Sequence, residues 1–157
     1  MRYLLIALTF LLCFSVRLYA ATWVQLDDDN FIDKDSIKRY ANDRSELQLN
    51  KKIVWMKLLN TNNVYEPFEK DYKKKVAFSL SQLIFDLSRN QIATKSITLY
   101  DQNGASIYSH TSRDYELKWE AIIPNSKGEY WAYLIKKPSL LKKMYKYQTT
   151  IYNSEVN

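Results

Sequence analysis

The sequence predicts an α+β fold that is mainly β, with one antiparallel sheet and a helix near the C-terminus that packs on it. Apolar residues alternate in the segment 76–84, which is typical of a strand with one wetter face. Asn103 and Gly104 favour a tight hairpin turn, because both residue types adopt the positive φ that such turns need. Ser126, followed three residues later by Glu129, has the pattern of a helix start. Together these observations indicate strands joined by short turns and followed by a helix.

The N-terminal residues 1–20 have the pattern of a secretory signal peptide. Arg2 gives a positive start, residues 3–16 are almost wholly apolar, and Ala20 is a small residue suited to cleavage. The apolar run is too short for a transmembrane helix, which needs about 20 apolar residues. We therefore expect a cleaved signal peptide, export to the periplasm or the cell surface, and no transmembrane segment in the mature chain. The alternative is an uncleaved N-terminal anchor helix.

The mature chain predicted after cleavage has no cysteine and a mildly positive net charge. Cys13 is the only cysteine and lies inside the predicted signal, so the mature chain has no disulfide and depends on its apolar core. Loss of residues 1–20 removes Arg2 and Arg17, which lowers the formal net charge from +6 to +4. The 137 residues that remain of the 157 suit a single domain.

Between the leader and the helix, the chain predicts a succession of strands separated by polar turns. The predicted strands are 22–26, 46–59, 73–84, 92–100 and 105–110, with a short extended piece at 31–32. The acidic cluster around Asp27 and Asp33 is interpreted as solvated turns, because it lacks the glycine and the alternate spacing of a calcium loop. Residues 60–71 are predicted to be a polar loop, and Lys73–Lys75 to open the strand that follows.

The predicted helix begins at Ser126 and ends before Pro138. Its apolar stripe, which would pack on the sheet, consists of Tyr130, Trp131, Leu134 and Ile135. Residues 141–152 have an alternating pattern that fits either an extra strand or a loose basic tail. The predicted organisation is therefore a β domain at 21–137, followed by a basic Tyr/Lys extension at 138–157.

The polar residues do not form a pattern typical of catalysis. His110 is the only histidine, and its neighbour Ser109 points to the opposite face of the strand, so the two are not expected to form a nucleophile–base pair. The sequence also has no glycine-rich phosphate loop. We expect no enzymatic activity, no catalytic residue, no cofactor and no bound metal ion.

Two runs of lysine interleaved with tyrosine are the candidate ligand-binding residues. The first run is Tyr72, Lys73, Lys74 and Lys75, and the second includes Lys142, Lys143, Tyr145 and Tyr147. Lysine combined with aromatic residues can hold nucleic acids or acidic glycans. Because an exported protein rarely meets nucleic acid, we expect a protein or an acidic glycan as the partner and no nucleic acid. The alternative is that the lysines protect strand edges from self-association.

Several short pieces in a fixed order complete the sequence evidence. They are Thr22-Trp23-Val24, Phe31-Ile32-Asp33, Asp35-Ser36-Ile37, Ile53-Val54-Trp55-Met56-Lys57, Phe85-Asp86, Tyr100 with Gly104, and Trp119 to Ser126 with Glu129. In their order and spacing over residues 22–137, they make the chain resemble the bacterial surface-adhesin E family, small exported domains named after an adhesin that binds host matrix proteins. The resemblance implies a sheet of about six strands with one C-terminal helix, and a homodimer. Leu87 and, approximately, Lys136 stand where family members usually carry a cysteine pair, so the family disulfide is missing.

The sequence therefore predicts an exported cell-envelope binding protein, adhesin-like, whose ligand is a host matrix protein or an acidic glycan. The alternative is a periplasmic housekeeping interaction module with no host ligand, and the competing class is a small envelope enzyme. Saturable binding to matrix or glycan would favour the adhesin, whereas turnover that is abolished by substitution of His110 would favour the enzyme.

Overall fold

Eight strands form one antiparallel sheet in the computed structural model, which describes residues 21–155. They are β1 (Trp23–Gln25), β2 (Asn30–Asp33), β3 (Lys38–Ala41), β4 (Leu47–Leu59), β5 (Phe78–Asp86), β6 (Gln91–Tyr100), β7 (Ser106–Thr111) and β8 (Glu120–Ala121). The order is β1-β2-β4-β5-β6-β7, while β3 pairs with β4 beside β2 and β8 pairs with β6 beside β7. The prediction of an antiparallel sheet is confirmed, but the expected six strands are corrected to eight, because two short strands share the outer edge of β4 and two share that of β6. The predicted signal peptide at 1–20 lies outside the described residues.

The expected single helix is likewise corrected, because the described residues contain three α-helices and one 3₁₀ turn. They are α1 (Glu66–Tyr72), α2 (Lys127–Lys136), α3 (Pro138–Glu155) and the 3₁₀ turn Asp114–Glu116. Helix α1 begins within the predicted loop 60–71 and ends one residue beyond it, at Tyr72. The prediction that Lys73–Lys75 opens a strand is wrong, since Lys73 has the left-handed backbone that ends α1 and β5 begins only at Phe78. Helix α3 replaces the expected extra strand or loose tail.

Helix α2 has the predicted start, but its buried face is rotated from the predicted one. The hydroxyl oxygen of Ser126 accepts a hydrogen bond from the backbone N–H three residues along, at 3.4 Å. Leu134 and Ile135 of the predicted stripe are buried, as is Ala132. Tyr130 is instead exposed, because Ala132 takes the position that faces the sheet. No helix in the described part of the chain is both long and apolar enough to cross a membrane.

The main hydrophobic core lies between α2, α3 and one face of the sheet, which we call the covered face. Its buried side chains include Val24, Ile32, Val54, Met56, Leu83, Phe85, Leu134, Ile135 and Leu141. The strand residues among them are alternate residues of their strands or cross-strand partners, as period-two geometry requires. Leu141 comes from α3, so this helix is part of the packed core.

Helix α3 also covers one edge of the sheet. The side-chain amide of Gln148 accepts a hydrogen bond from the backbone N–H of Gln25 at 3.2 Å and donates one to the backbone carbonyl of Gln25 at 2.8 Å. These are the two backbone groups that a neighbouring strand would bond. The amide therefore satisfies the outer edge of β1, where another chain could otherwise add a strand.

The sheet face opposite the helices is divided into two halves. One half carries a smaller cluster of Tyr40, Ile53 and Ile84, against which Leu117 and Trp119 pack from the connection between β7 and β8. No helix or further strand of the described residues packs on the other half, which we call the open face.

Candidate functional site

The first predicted ligand-binding run lies at the C-terminal end of α1. Tyr72 is 45% exposed, and its ring lies beside Tyr108 of β7 with the ring centroids 5.9 Å apart. Lys73 and Lys74 follow it in an exposed turn. Because these residues are not in a strand, they do not protect a strand edge by lying on it.

The third lysine of this run is engaged by a buried carboxylate. Glu69 of α1 accepts hydrogen bonds from the Lys75 Nζ at 2.6 Å and from the backbone N–H of Val76 at 3.0 Å. These hydrogen bonds, that from Lys75 foremost, lower the pKa of Glu69. Lys75 thus stabilises the chain reversal after α1, and its charge is already matched within the fold.

The second predicted run lies on α3 and faces solvent at three of its four residues. Lys142, Lys143 and Tyr147 are exposed, Tyr147 by 69%. Tyr145 instead is half-buried and packs against the main core, and the Lys34 ammonium lies 5.1 Å from the centroid of its ring. Tyr145 therefore anchors the helix to the domain and does not face a ligand.

The exposed part of this run continues onto α2, which packs beside α3. We call the combined area the helix surface; it comprises Tyr130, Tyr133, Lys136, Lys137, Lys142, Lys143, Lys146 and Tyr147. From Tyr130 to Tyr152 the sequence has five lysines and no aspartate or glutamate. In the described residues none of these lysines is in a salt bridge, whereas Lys127 at the start of α2 pairs with Asp27 at 3.0 Å. The positive charge of the helix surface is therefore free to attract an anionic partner.

The two predicted runs do not form one site. Helix α1 lies against β7, where the rings of Phe68 and Tyr108 have centroids 5.3 Å apart. Helix α3 lies against β1 through Gln148 and Gln25. Strands β1 and β7 are the two ends of the sheet order, with four strands between them.

A cluster of four polar side chains, which we call the polar clasp, joins distant parts of the sheet. The Tyr40 hydroxyl donates to the carboxylate of Asp114, which also accepts from the Lys95 Nζ at 2.9 Å. The carboxylate of Asp43 accepts from the same Nζ at 2.8 Å and from the backbone N–H of Asp114 at 2.7 Å. Asp43 lies in the β3–β4 turn and Asp114 in the β7–β8 connection, so the clasp fastens these two segments to each other. Tyr40 of β3 and Lys95 of β6 hold them against the sheet.

The pKa shifts within the clasp favour a structural role over proton transfer. Burial and the hydrogen bond to Asp114 raise the pKa of Tyr40 to about 12. Burial alone would raise the pKa of Asp114, but the hydrogen bonds from Tyr40 and Lys95 lower it to about 2. Burial opposes the charge on Lys95, yet its hydrogen bonds to Asp43 and Asp114 raise its pKa. A general acid or base works best with a pKa near the ambient pH, and each of these shifts leads away from neutrality.

A cleft of about 540 Å³ lies along β6, between the end of β7 and the segment that leads into β8. Its walls include Ile92, Ile97, His110, Ser112, Lys118 and Glu120. The Nε2 of His110 lies 3.3 Å from the Ser112 Oγ, a contact that the sequence analysis missed because it considered adjacent residues only. No carboxylate of the described residues bonds to His110 to orient it, as the third group of a catalytic triad would.

The acidic residues near the N-terminus lie in turns, as predicted, and Asp27 and Asp33 accept hydrogen bonds from backbone groups there. Asp27 Oδ1 accepts from the backbone N–H groups of Asp29 and Asn30, both at 3.0 Å. Asp33 Oδ1 accepts from the N–H of Asp35 at 3.2 Å. Across residues 21–155, no group of three His, Cys, Asp or Glu side chains is arranged to hold a metal ion.

The sequence analysis did not find the open face, whose residues come from different strands. Its cross-strand rows are Phe31-Lys57-Leu80-Thr98-Ser109, Trp55-Gln82-Ser96 and Leu59-Phe78-Tyr100. The Lys57 Nζ lies 4.6 Å from the centroid of the Phe78 ring and 6.0 Å from that of Phe31. The one local signal is a lysine in the otherwise apolar segment 53–59 of the predicted strand 46–59.

Comparison with known proteins gives distant structural likeness and no match by sequence. No family model matches the chain, and no curated protein matches it. Crystal form II of Haemophilus influenzae protein E is similar with a TM-score of 0.48 and 13% identity, covering 74% of this chain and 87% of that chain. Protein E from non-typeable Haemophilus influenzae is similar with a TM-score of 0.48 and 9% identity, covering 84% and 92%. Likeness at this level does not assign a family or a function.

Proposed function

We propose that this chain is an exported binding protein of the cell envelope and that its helix surface binds a polyanionic partner. The observation that carries the proposal is the stretch from Tyr130 to Tyr152, which has five lysines, all exposed, and no acidic residue. The lysines come from two adjacent helices, so they present their charges from a rigid support. An acidic glycan and the acidic face of a matrix protein both offer the complementary charge.

The physical basis of the proposal is Coulomb attraction supplemented by aromatic contact. A lysine in contact with an anion at about 4 Å in water gains about 1 kcal/mol, so three lysines together change affinity by roughly 100-fold. Tyr133 and Tyr147 add contact area at a low cost in conformational entropy, since each has only two side-chain torsions. Salt should weaken the binding, because the screening length is about 8 Å at physiological ionic strength.

The envelope location and the non-enzymatic character are parts of the same proposal. Export is supported by the leader pattern at residues 1–20, and an adhesin-like role by the sequence resemblance to the surface-adhesin E family. A binding role rather than catalysis is supported by the pKa directions in the polar clasp and by the surroundings of His110. The intact mass of protein taken from the envelope tests export, and a mass that still includes residues 1–20 would contradict it.

Heparin affinity of matched charge variants tests the ligand-binding part. We compare the wild type with a helix-surface variant, Lys142→Gln/Lys143→Gln/Lys146→Gln. The control variant removes three other exposed lysines, Lys73→Gln/Lys74→Gln/Lys118→Gln. The two variants lose the same net charge, so a difference between them reports the position of the charges. The proposal predicts a roughly 100-fold rise in Kd for the helix-surface variant and a much smaller rise for the control.

Equal losses in the two variants would mean that only net charge matters, and would refute a specific helix surface. Loss confined to the control variant would move the site from the helix surface to the lysines that the control variant replaces. Protease treatment of intact cells then separates an adhesin from a periplasmic module. Removal of the protein supports the adhesin, and full protection contradicts it.

A further inference from the structure

Three aromatic rings lie on the open face, and two of them are stacked on each other. Phe78 and Tyr100 are cross-strand partners, and their rings stack with centroids 4.8 Å apart and planes inclined by 11°. Trp55 on β4 adds a third ring, and all three side chains are half-buried, so part of each ring meets solvent. The ring of Phe78 has Tyr100 on one side and the Lys57 ammonium on the other, so Trp55 is the ring beside Lys57 that a ligand can cover. The C–H face of a sugar packs well on such a ring, because it leaves water and meets the negative face of the aromatic system.

Lys57 puts a positive charge beside these rings. Its ammonium interacts with the faces of Phe78 and Phe31 and forms no salt bridge with any described carboxylate. Lys51, on the same face of the same strand, lies 4.0 Å from the carboxylate of Asp86. Lys57 is half-buried, and an ammonium without a counter-ion gains more from an anion delivered by a ligand than a paired one does.

Hydroxyl and amide groups occupy the part of the open face next to the rings. The Ser96 Oγ donates to Gln82 Oε1 at 3.5 Å, and the Thr98 Oγ1 lies 3.0 Å from the Ser109 Oγ. These side chains are directly opposite each other on neighbouring strands, so they form a continuous polar strip. Each can donate to or accept from the hydroxyl groups of a ligand.

We propose that the open face is a binding site for a saccharide unit that carries a carboxylate, such as a uronic acid. The sugar ring packs on Trp55, and its carboxylate pairs with Lys57 two residues along the same strand. Its hydroxyl groups bond Gln82 and Thr98. An apolar partner would bury the Lys57 ammonium without an anion, and a neutral sugar would leave its charge unused, so charge complementarity selects the acidic sugar.

This site is separate from the helix surface, because α2 and α3 pack on the covered face of the sheet. The inference therefore does not rest on the proposed function, and each can fail without the other. A small probe keeps the two apart in experiment, since a disaccharide is too short to depend on five lysines spread over two helices.

The test is an NMR titration of the purified protein with digalacturonic acid, and with galactobiose as the neutral counterpart. We expect saturable binding of the acidic disaccharide with a Kd on the order of 1 mM, and binding of the neutral one at least about tenfold weaker. Lys57→Met keeps the apolar stem but removes the charge, and should weaken binding of the acidic sugar about tenfold or more. The control Lys118→Met should leave it unchanged.

A second variant tests the contact between the sugar and an aromatic ring, and melting temperatures check that the variants are folded. Trp55→Leu removes the stacking ring and should weaken binding of both sugars, and each variant should melt cooperatively like the wild type. No saturation by the acidic sugar, equal affinity for the two sugars, or no effect of Lys57→Met would overturn the proposal. A wild-type dimer that Lys57→Met dissociates would assign the open face to self-association and would also overturn it.

Discussion

Replacement of Asp114 by asparagine should remove a part of the stability that exists only above acidic pH. The pKa of this carboxyl is lowered from 3.8 to about 2 in the folded protein. One pKa unit corresponds to about 1.4 kcal/mol, so the lowering from 3.8 to about 2 adds about 2.5 kcal/mol to the free energy of unfolding at neutral pH. The side chain is 28% exposed, which makes this an upper value because solvent screens part of the interaction. Since the folded pKa is depressed, the gain is complete above about pH 4 and is lost as the pH falls towards 2.

Urea unfolding of the wild type and Asp114→Asn between pH 2 and pH 7 measures this effect. We expect the variant to be less stable by about 2 kcal/mol at pH 7, and the difference to shrink towards zero near pH 2. Asp28→Asn is the control, because Asp28 is exposed and makes no hydrogen bond or salt bridge among the described contacts. A difference that stays constant with pH, or is absent at pH 7, would refute the assignment of the clasp as a folding-linked ion cluster.

Two further substitutions test the covered face and the edge of the sheet. Phe85→Ala empties a fully buried site and should lower the free energy of unfolding, measured in urea, by about 3–5 kcal/mol. Trp131→Ala should lower it by less, because Trp131 is half-buried, and the reverse order would contradict the assignment of the core. Gln148→Ala should cost about 1 kcal/mol and speed amide hydrogen exchange at Gln25, and unchanged exchange there would show that α3 does not close the β1 edge.

Features that depend on neighbouring residues could be predicted from the sequence. The hairpin turn before β7 is one, since Gly104 has a φ of 78° and the Asp101 carboxylate accepts from the N–H groups of Asn103 and Ala105, both at 2.9 Å. The start of α2 at Ser126 is another. In both cases a side chain bonds the backbone a few residues away, so the signal is complete within a short window.

The two helices that were not predicted show where patterns within a short stretch of sequence do not determine the structure. Helix α1 has only seven residues, and the lysine run after it suggested an early strand start. In α3, tyrosine, threonine and isoleucine at alternate positions favour a strand by propensity. The helical spacing of Leu141, Tyr145 and Gln148 decides the structure, because those residues pack on the core and on β1.

The candidate surfaces were predicted only in part, for the same reason. The charge of Lys142 and Lys143 is visible in the sequence, and the structure keeps both exposed. Burial of Tyr145 and the pairing of Lys75 with Glu69 depend on contacts with other segments. The arrangement around Lys57 requires the register of four strands, which no local pattern contains.

The central claim is that the helix surface is the part of the domain that meets a polyanionic ligand. Mapping the backbone amide shifts of the protein on addition of a heparin oligosaccharide at physiological salt tests this most directly. The account predicts that the largest shift changes fall in α3 at Lys142–Tyr147 and at Lys136 and Lys137, and that they diminish as salt is raised. Largest changes at Lys73 and Lys74, or changes spread evenly over all exposed lysines, would contradict it.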